Sequence, residues 1–436
     1  MTTIKKKYLP KQKLIAKSNQ LNSDAPSVIK RHLDNTPFRL KTNDVFTYIA
    51  ASSISHVLDG WEYLSNAINA LINGNDGISI HMAYYAELRA VMSLLAAEGI
   101  GVFSDVHIGL QNRSTFDTFS KYRRKERKNG SAKVFENKIG THVFAWKAWE
   151  KWCLSILKPS YNLLQMFRVN GHPFTELLVG FHPQATQIAS SPIAKNWLKE
   201  WAFDVRKYEN DREMRNFVSY RPQNISEFTP SIDFKKTINC IFTLFKVLSP
   251  TSLSPFDYLD KLLFKELIDK LYENPVIYQS NRGSKEDLIN DAFENLGMSL
   301  DNVTKRILLS QTPLEQTHLV FSESKKHISE PLPVISRAIL LLRVSTGFVS
   351  NLLKDAGIDK AELNFIWEKY AFNNGFWNTN VPISDFHKLW DDVELEYSTI
   401  EASLDSLENS PFSIKNRSDV NLGKLTQFNR SALWGL

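Results

Sequence analysis

The amino-acid sequence predicts an all-α protein with few or no strands, and three observations carry that prediction. The stretch from Ile78 to Glu98 contains nothing that breaks a helix, and Gly99 follows it where a left-handed cap belongs. Apolar residues with helical spacing recur from about residue 45 to about residue 407, whereas the alternating apolar–polar runs of half-buried strands are scarce. Turns rich in Gly, Asn and Pro separate these runs, as between the helices of a bundle.

The stretch from 78 to 98 organises the rest. Its apolar residues, among them Ile80, Tyr84, Leu88, Val91 and Leu95, surround the helix axis and leave no polar face. A helix apolar on every side is either buried or membrane-spanning. His81, Glu87, Arg89 and Glu98 argue against a membrane, where each charge would cost about 2.5–3.5 kcal/mol. The expectation is the central helix of a soluble helical domain.

Length and composition set the bounds. A chain of 436 residues has room for two or three domains and a sizeable core without disulfides. Cys153 and Cys240, its only cysteines, fit a reducing, cytoplasmic setting, and no apolar leader or spanning run is expected. Residues 1–35 hold eight basic residues against Asp24 and Asp34, so the whole net charge of +6 sits there and the rest of the chain balances. Charge alone therefore does not mark the body as a nucleic-acid-binding domain.

In chain order, residues 1–40 read as a flexible basic arm, either a solubilising tail or a contact for phosphate or a partner. Asn43 or Asp44 caps a helical pattern that pauses at Ser52-Ser53 and resumes from Ile54 to Ile72. The turn Asn75-Asp76-Gly77 is so short that this helix and the central one should pack antiparallel. The tryptophans of HVFAWKAWEKW, Trp146, Trp149 and Trp152, are spaced by three, which suits helical core packing more than base stacking. The RVNGH run at 168–172 reads as a turn. A helical domain of residues 41–228, with a basic insertion at 118–140, precedes a second one at 229–408 and a polar tail at 409–436. Within the second domain, helices are expected from about Asp233 to Leu248, through Leu262 to Leu271, from Ser284 (SKED, a capping signal) and from Pro331.

The patterns WEYLSNAINALINGN and AYYAELRAVMSLLAAEGIGVF, followed by His107, resemble the paired-helix core of the HEPN superfamily. These are small four-helix domains of bacterial toxins and of phage- or plasmid-defence proteins, many of them metal-independent ribonucleases. The run DREMRNFVSYRP at 211–222 is similar to the family's Arg-containing motif, with Arg215-Asn216 in place and Tyr220 where the family has His. The resemblance implies an antiparallel HEPN-like bundle in which Arg215 holds a phosphate and Asn216 orients it. Tyr220, with an ordinary pKa of about 10, is a poor proton acceptor at pH 7. Glu87 or His107 would then have to supply the base. Otherwise Arg215 pairs with Asp211 or Glu87 in a closed core.

Two further features suggest contacts. KYRRKERK concentrates Lys121, Arg123, Arg124, Lys125, Arg127 and Lys128 before Asn129-Gly130. Such a ridge suits salt-sensitive phosphate contacts on DNA or RNA, and equally a solvated helix face or an acidic partner. Trp367, Phe376 and Trp377 lie in the most aromatic segment, and Trp434 ends the polar tail; they read as core or as anchors for a partner protein. No phosphate-binding glycine loop, HExxH, CxxC or GxSxG run occurs, so no metal or cofactor is expected. The expected function is a non-catalytic helical subunit of a bacterial anti-phage or anti-plasmid defence complex, with protein partners and with self-association open. A HEPN-type ribonuclease is the alternative.

Overall fold

The computed structural model describes residues 45–103, 106–110, 116–120, 123–126, 133–136, 140–153, 163–189, 205–220, 234–280, 283–358, 363, 367–377, 387–404 and 422–436. The chain is largely helical, as predicted. Its longer helices are α1 (Val45–Ile72), α2 (Asp76–Ala97), α3 (Thr141–Cys153), α4 (Val205–Tyr220), α5 (Phe234–Lys246), α6 (Asp257–Tyr272), α7 (Lys285–Glu294), α8 (Pro331–Asp355) and α9 (Lys388–Leu404). The basic arm at 1–40 and the boundary near 228 lie outside the described residues. Elements on both sides of that boundary share one hydrophobic core.

Helix α1 does not pause at Ser52-Ser53. Both hydroxyls turn back onto the preceding turn, Ser52 Oγ to the Ile49 carbonyl at 2.7 Å and Ser53 Oγ to Ala50 at 2.6 Å, so neither competes for the helix's own N–H groups. Gly74 (φ 71°) ends α1, and Gly99 (φ 86°) follows α2 in the left-handed conformation its position indicated. Asp76 lies in the first turn of α2, where a negative charge complements the helix dipole.

The two helices run antiparallel along a seam of small residues. Ser79 Oγ donates to the Ala67 carbonyl at 2.8 Å, and Ser93 Oγ donates to the Ser53 carbonyl at 2.7 Å. Midway between them, a Cβ placed on Gly60 would lie 3.5 Å from the Ala86 carbonyl. These contacts fall every two turns on both helices, which lets the backbones approach closely. Helix α8 covers the pair: Leu342 packs onto Gly60, and Trp61 Nε1 donates to Thr346 Oγ1 at 2.9 Å. By length and composition α8 could cross a membrane, yet 94% of its most apolar window is buried inside the protein, around Arg337 and Arg343.

Among the described residues, three small antiparallel sheets interrupt the helices. β1 (Ile100–Val102), β2 (Val106–Leu110) and β3 (Phe116–Ser120) pair in order. β4 (Arg123–Glu126) pairs with β5 (Lys133–Glu136), Arg123 opposite Glu136 and Glu126 opposite Lys133. The basic ridge is therefore part of a hairpin, not a helix face; Lys121, Arg127 and Lys128 lie outside the described residues. β6 (Arg168–Val169) and β7 (His172–Pro173) close on Asn170 (φ 50°) and Gly171 (φ 86°), the two positive φ angles of a type I′ hairpin turn. The RVNGH run is thus the turn it reads as, and the Ser284–Asp287 capping box opens α7 as expected.

The proposed anchors are core residues instead. Trp367 (1% exposed), Phe376, Trp377 and Trp434 are all buried by the chain itself. Phe376 lies under the Arg430 guanidinium, and Trp434 packs on Phe245 and Trp390. The end of the chain does dock, but on its own α1: Asn429 N–H donates to Ser65 Oγ at 2.8 Å and Asn429 Nδ2 to Glu62 at 2.7 Å. Residues 422–436 are therefore not a polar tail.

Candidate functional site

Two arginines of α8 neutralise buried acids, and one of these pairs sets the candidate site. Arg343 grips Asp260 at 2.8 and 2.5 Å, while Asp260 also accepts from the Arg168 backbone N–H at 2.8 Å. This ties the RVNGH turn to α6. Arg337 grips Asp211 at 2.8 Å through Nε and 2.5 Å through Nη2, and donates to the carbonyls of Ser324 and Lys326. Glu87 Oε1 lies 3.6 Å from the same guanidinium, fully buried.

Two carboxyls facing one guanidinium in a dry core cannot both be charged without leaving an uncompensated ion. Burial pushes the Glu87 pKa well above the usual carboxyl range, the charge of Asp211 adds to that, and Arg337 opposes it. Burial also raises the Asp211 pKa, with Arg337 opposing. The balanced state has Glu87 protonated beside the Asp211 carboxylate. Glu87 is consequently a structural partner rather than the substitute base. His107 is not one either: on β2 it is 1% exposed and stacked on Phe144 at 4.2 Å.

Because Arg337 takes Asp211, Arg215 one turn later on α4 pairs with neither Asp211 nor Glu87. It is half-exposed, and has no carboxylate partner among the described residues. Its Nη1 donates to Asn216 Oδ1 at 2.9 Å and its Nη2 to Tyr85 Oη at 3.1 Å. The guanidinium carbon lies 5.3 Å from the Tyr84 ring centre and 5.1 Å from that of Tyr85. Its Nε is left without an acceptor. The side chain of Tyr220, the last residue of α4, lies outside the described residues.

Two histidines that belong to no sequence motif stand beside Arg215. His142, from α3, has both ring nitrogens 3.3 Å from Arg215 Nη2. Trp146 Nε1 donates to Tyr84 Oη at 3.1 Å, and Tyr84 Oη lies 3.0 Å from His142 Nδ1. Burial raises the Tyr84 pKa, so its phenol stays protonated. His81, from α2, lies 2.7 Å from Ser219 Oγ and 5.0 Å from the Tyr85 ring. Burial and then the charge of Arg215 lower its pKa. A hint was present in the sequence: His142 falls on the stripe of Trp146 and Trp149, and His81 is i,i+4 to Tyr85 on the organising helix.

Fold and site together define a largely helical protein with a half-exposed, cation-bearing cluster where α2, α3 and α4 meet. Compared with protein-family models, with curated proteins and with solved structures, the chain matches none.

Proposed function

We propose that the chain is a helical, non-catalytic subunit of a bacterial anti-phage or anti-plasmid defence complex, and that it holds a nucleic-acid phosphate at Arg215. The observation that supports this is the half-exposed Arg215 guanidinium, fixed by Tyr85 and Asn216 and without a carboxylate partner among the described residues. Phosphate oxygens accept from such a fork in parallel pairs. The HEPN-like sequence features agree with it, and the basic strand β4 offers a second place for backbone contacts. The test is fluorescence anisotropy at low salt with labelled single-stranded RNA and DNA. Arg215→Ala should weaken binding while the melting temperature stays close to the parent's. Equal binding by both proteins, or none by the parent, removes the reading.

A metal-independent ribonuclease is the second reading, and one observation favours it. His81 and His142, from two other helices, stand beside Arg215 and offer the imidazole for which α4 carries Tyr220. Imidazole, with a pKa of about 6.5, is the side chain best matched to moving a proton near neutral pH.

A further inference from the structure

His81 Nδ1 lies 2.7 Å from Ser219 Oγ, and that hydroxyl lies 2.6 Å from the backbone carbonyl oxygen of Arg215. A hydroxyl has one hydrogen and a carbonyl can only accept, so Ser219 donates to Arg215 and accepts from His81. Nδ1 therefore carries a hydrogen in either charge state, and Nε2 is the atom that titrates. Facing His81, α4 contributes Arg215 and α2 contributes Tyr85, whose ring is in turn edge-on to His142 of α3 at 5.7 Å. From α1, Tyr63 stacks on Tyr85 at 5.3 Å. Glu87 and Asp211, on the buried sides of α2 and α4, are engaged with Arg337. No carboxylate forms an ion pair with His81 among the described residues.

We propose that the Arg215 site is proton-linked: an anion seated on Arg215 cancels the charge that opposes a cation at His81 and draws one proton from solvent onto His81 Nε2. In the free protein, burial and Arg215 hold His81 neutral at neutral pH. The ligand is a phosphodiester chain, whose phosphates stay singly negative throughout this range, so the proton arrives on the protein. Affinity then rises as pH falls through the range in which His81 titrates, by up to about tenfold per pH unit, the limit for one linked proton. The inference rests on the reading of Arg215 as an anion site.

The test is titration calorimetry with an eight-residue oligouridylate near pH 6, in two buffers of different ionisation heat. The parent should take up a fraction of one proton on binding. His81→Gln, which keeps a donor for Ser219, should show no uptake near pH 6 and a flat pH dependence. Binding without proton uptake in the parent, or uptake that persists in His81→Gln and disappears in His142→Gln, overturns the assignment to His81. Binding equally strong in Arg215→Ala, or absent in the parent, overturns the Arg215 site itself and is distinguishable from either result.

Discussion

Arg337 and Asp211 meet through two hydrogen bonds, 2.8 Å from Nε and 2.5 Å from Nη2, with both side chains sealed from solvent. Asp211 is one turn before Arg215 on α4, so the bond that anchors this helix in the core also presents Arg215 at its edge. The nearer candidate in sequence, Arg215, is displaced because α8 delivers an arginine whose other hydrogens reach the Ser324 and Lys326 carbonyls. A buried charge fully provided with partners is the lower-energy solution.

That arrangement predicts opposite outcomes for two arginine substitutions. Arg337→Leu leaves Asp211 buried and unpaired and should cost about 3–5 kcal/mol. Arg215→Ala leaves the ion pair intact and should cost about 1 kcal/mol or less, as for other partly exposed side chains away from a buried network. Urea denaturation of both variants checks this. Similar losses in the two, or an unaffected Arg337→Leu, would contradict the pairing.

Glu87 gives a pH signature. Its folded pKa is raised by burial and by Asp211, whereas in the unfolded chain it ionises near about 4.3. The stability it contributes is present below that value and is lost as pH rises toward the folded pKa. Glu87→Gln keeps the shape of the side chain and cannot ionise. Between pH 5 and 8 the variant should gain stability relative to the parent, most at the upper end. Parallel stability curves, measured as urea midpoints across that range, would show that Glu87 titrates alike in both states.

The seam between α1 and α2 predicts the cost of added bulk. A Cβ on Gly60 would stand 2.6 Å from Leu342 Cδ2, the far end of a side chain that can move. Gly60→Ala should therefore destabilise by about 1–3 kcal/mol, the range for overpacking, and Leu342→Val should recover part of it. On the same helix pair, Leu88 is buried, and Leu88→Ala should cost about 2–5 kcal/mol. Additive effects of Gly60→Ala and Leu342→Val would separate the two residues.

Much of the scaffold was legible because local chemistry decided it. Gly99 capped α2, Ser284 opened α7 and Asn170-Gly171 closed a hairpin, each through a conformation only a few residue types favour. The seam could have been seen in the seven-residue spacing of Ser53, Gly60 and Ala67, and of Ser79, Ala86 and Ser93. What remained hidden was set by distant pairing. Nothing near Asp211 says that its partner is 126 residues away, or that His142 would meet Arg215. Trp367 and Trp434 look the same in sequence whether they anchor a partner or fill their own core.

The basic hairpin predicts a salt effect independent of Arg215. Changing Arg123, Arg124 and Arg127 to Ala should weaken binding across all nucleic-acid sequences and flatten the dependence of affinity on salt. Anisotropy titrations at several salt concentrations read both quantities. A variant that binds with the parent's slope assigns the ridge to a protein partner or to solvent.

The last prediction separates the two functional readings. With Glu87 and His107 buried, the imidazoles beside Arg215 are the groups left to accept a proton from a 2′-hydroxyl. His142 Nδ1 lies 3.0 Å from Tyr84 Oη and 3.3 Å from the Arg215 guanidinium. On the subunit reading, purified protein alone does not cleave RNA at neutral pH, with or without a chelator. Tyr220→His, which restores the family's spacing, is the variant that could create cleavage, and adding Arg215→Ala should then abolish it. Cleavage by the unmodified protein that survives chelation, and is lost in Arg215→Ala with folding intact, would promote the ribonuclease. Loss in His81→Gln as well would name His81 as the base; retained cleavage there would leave His142.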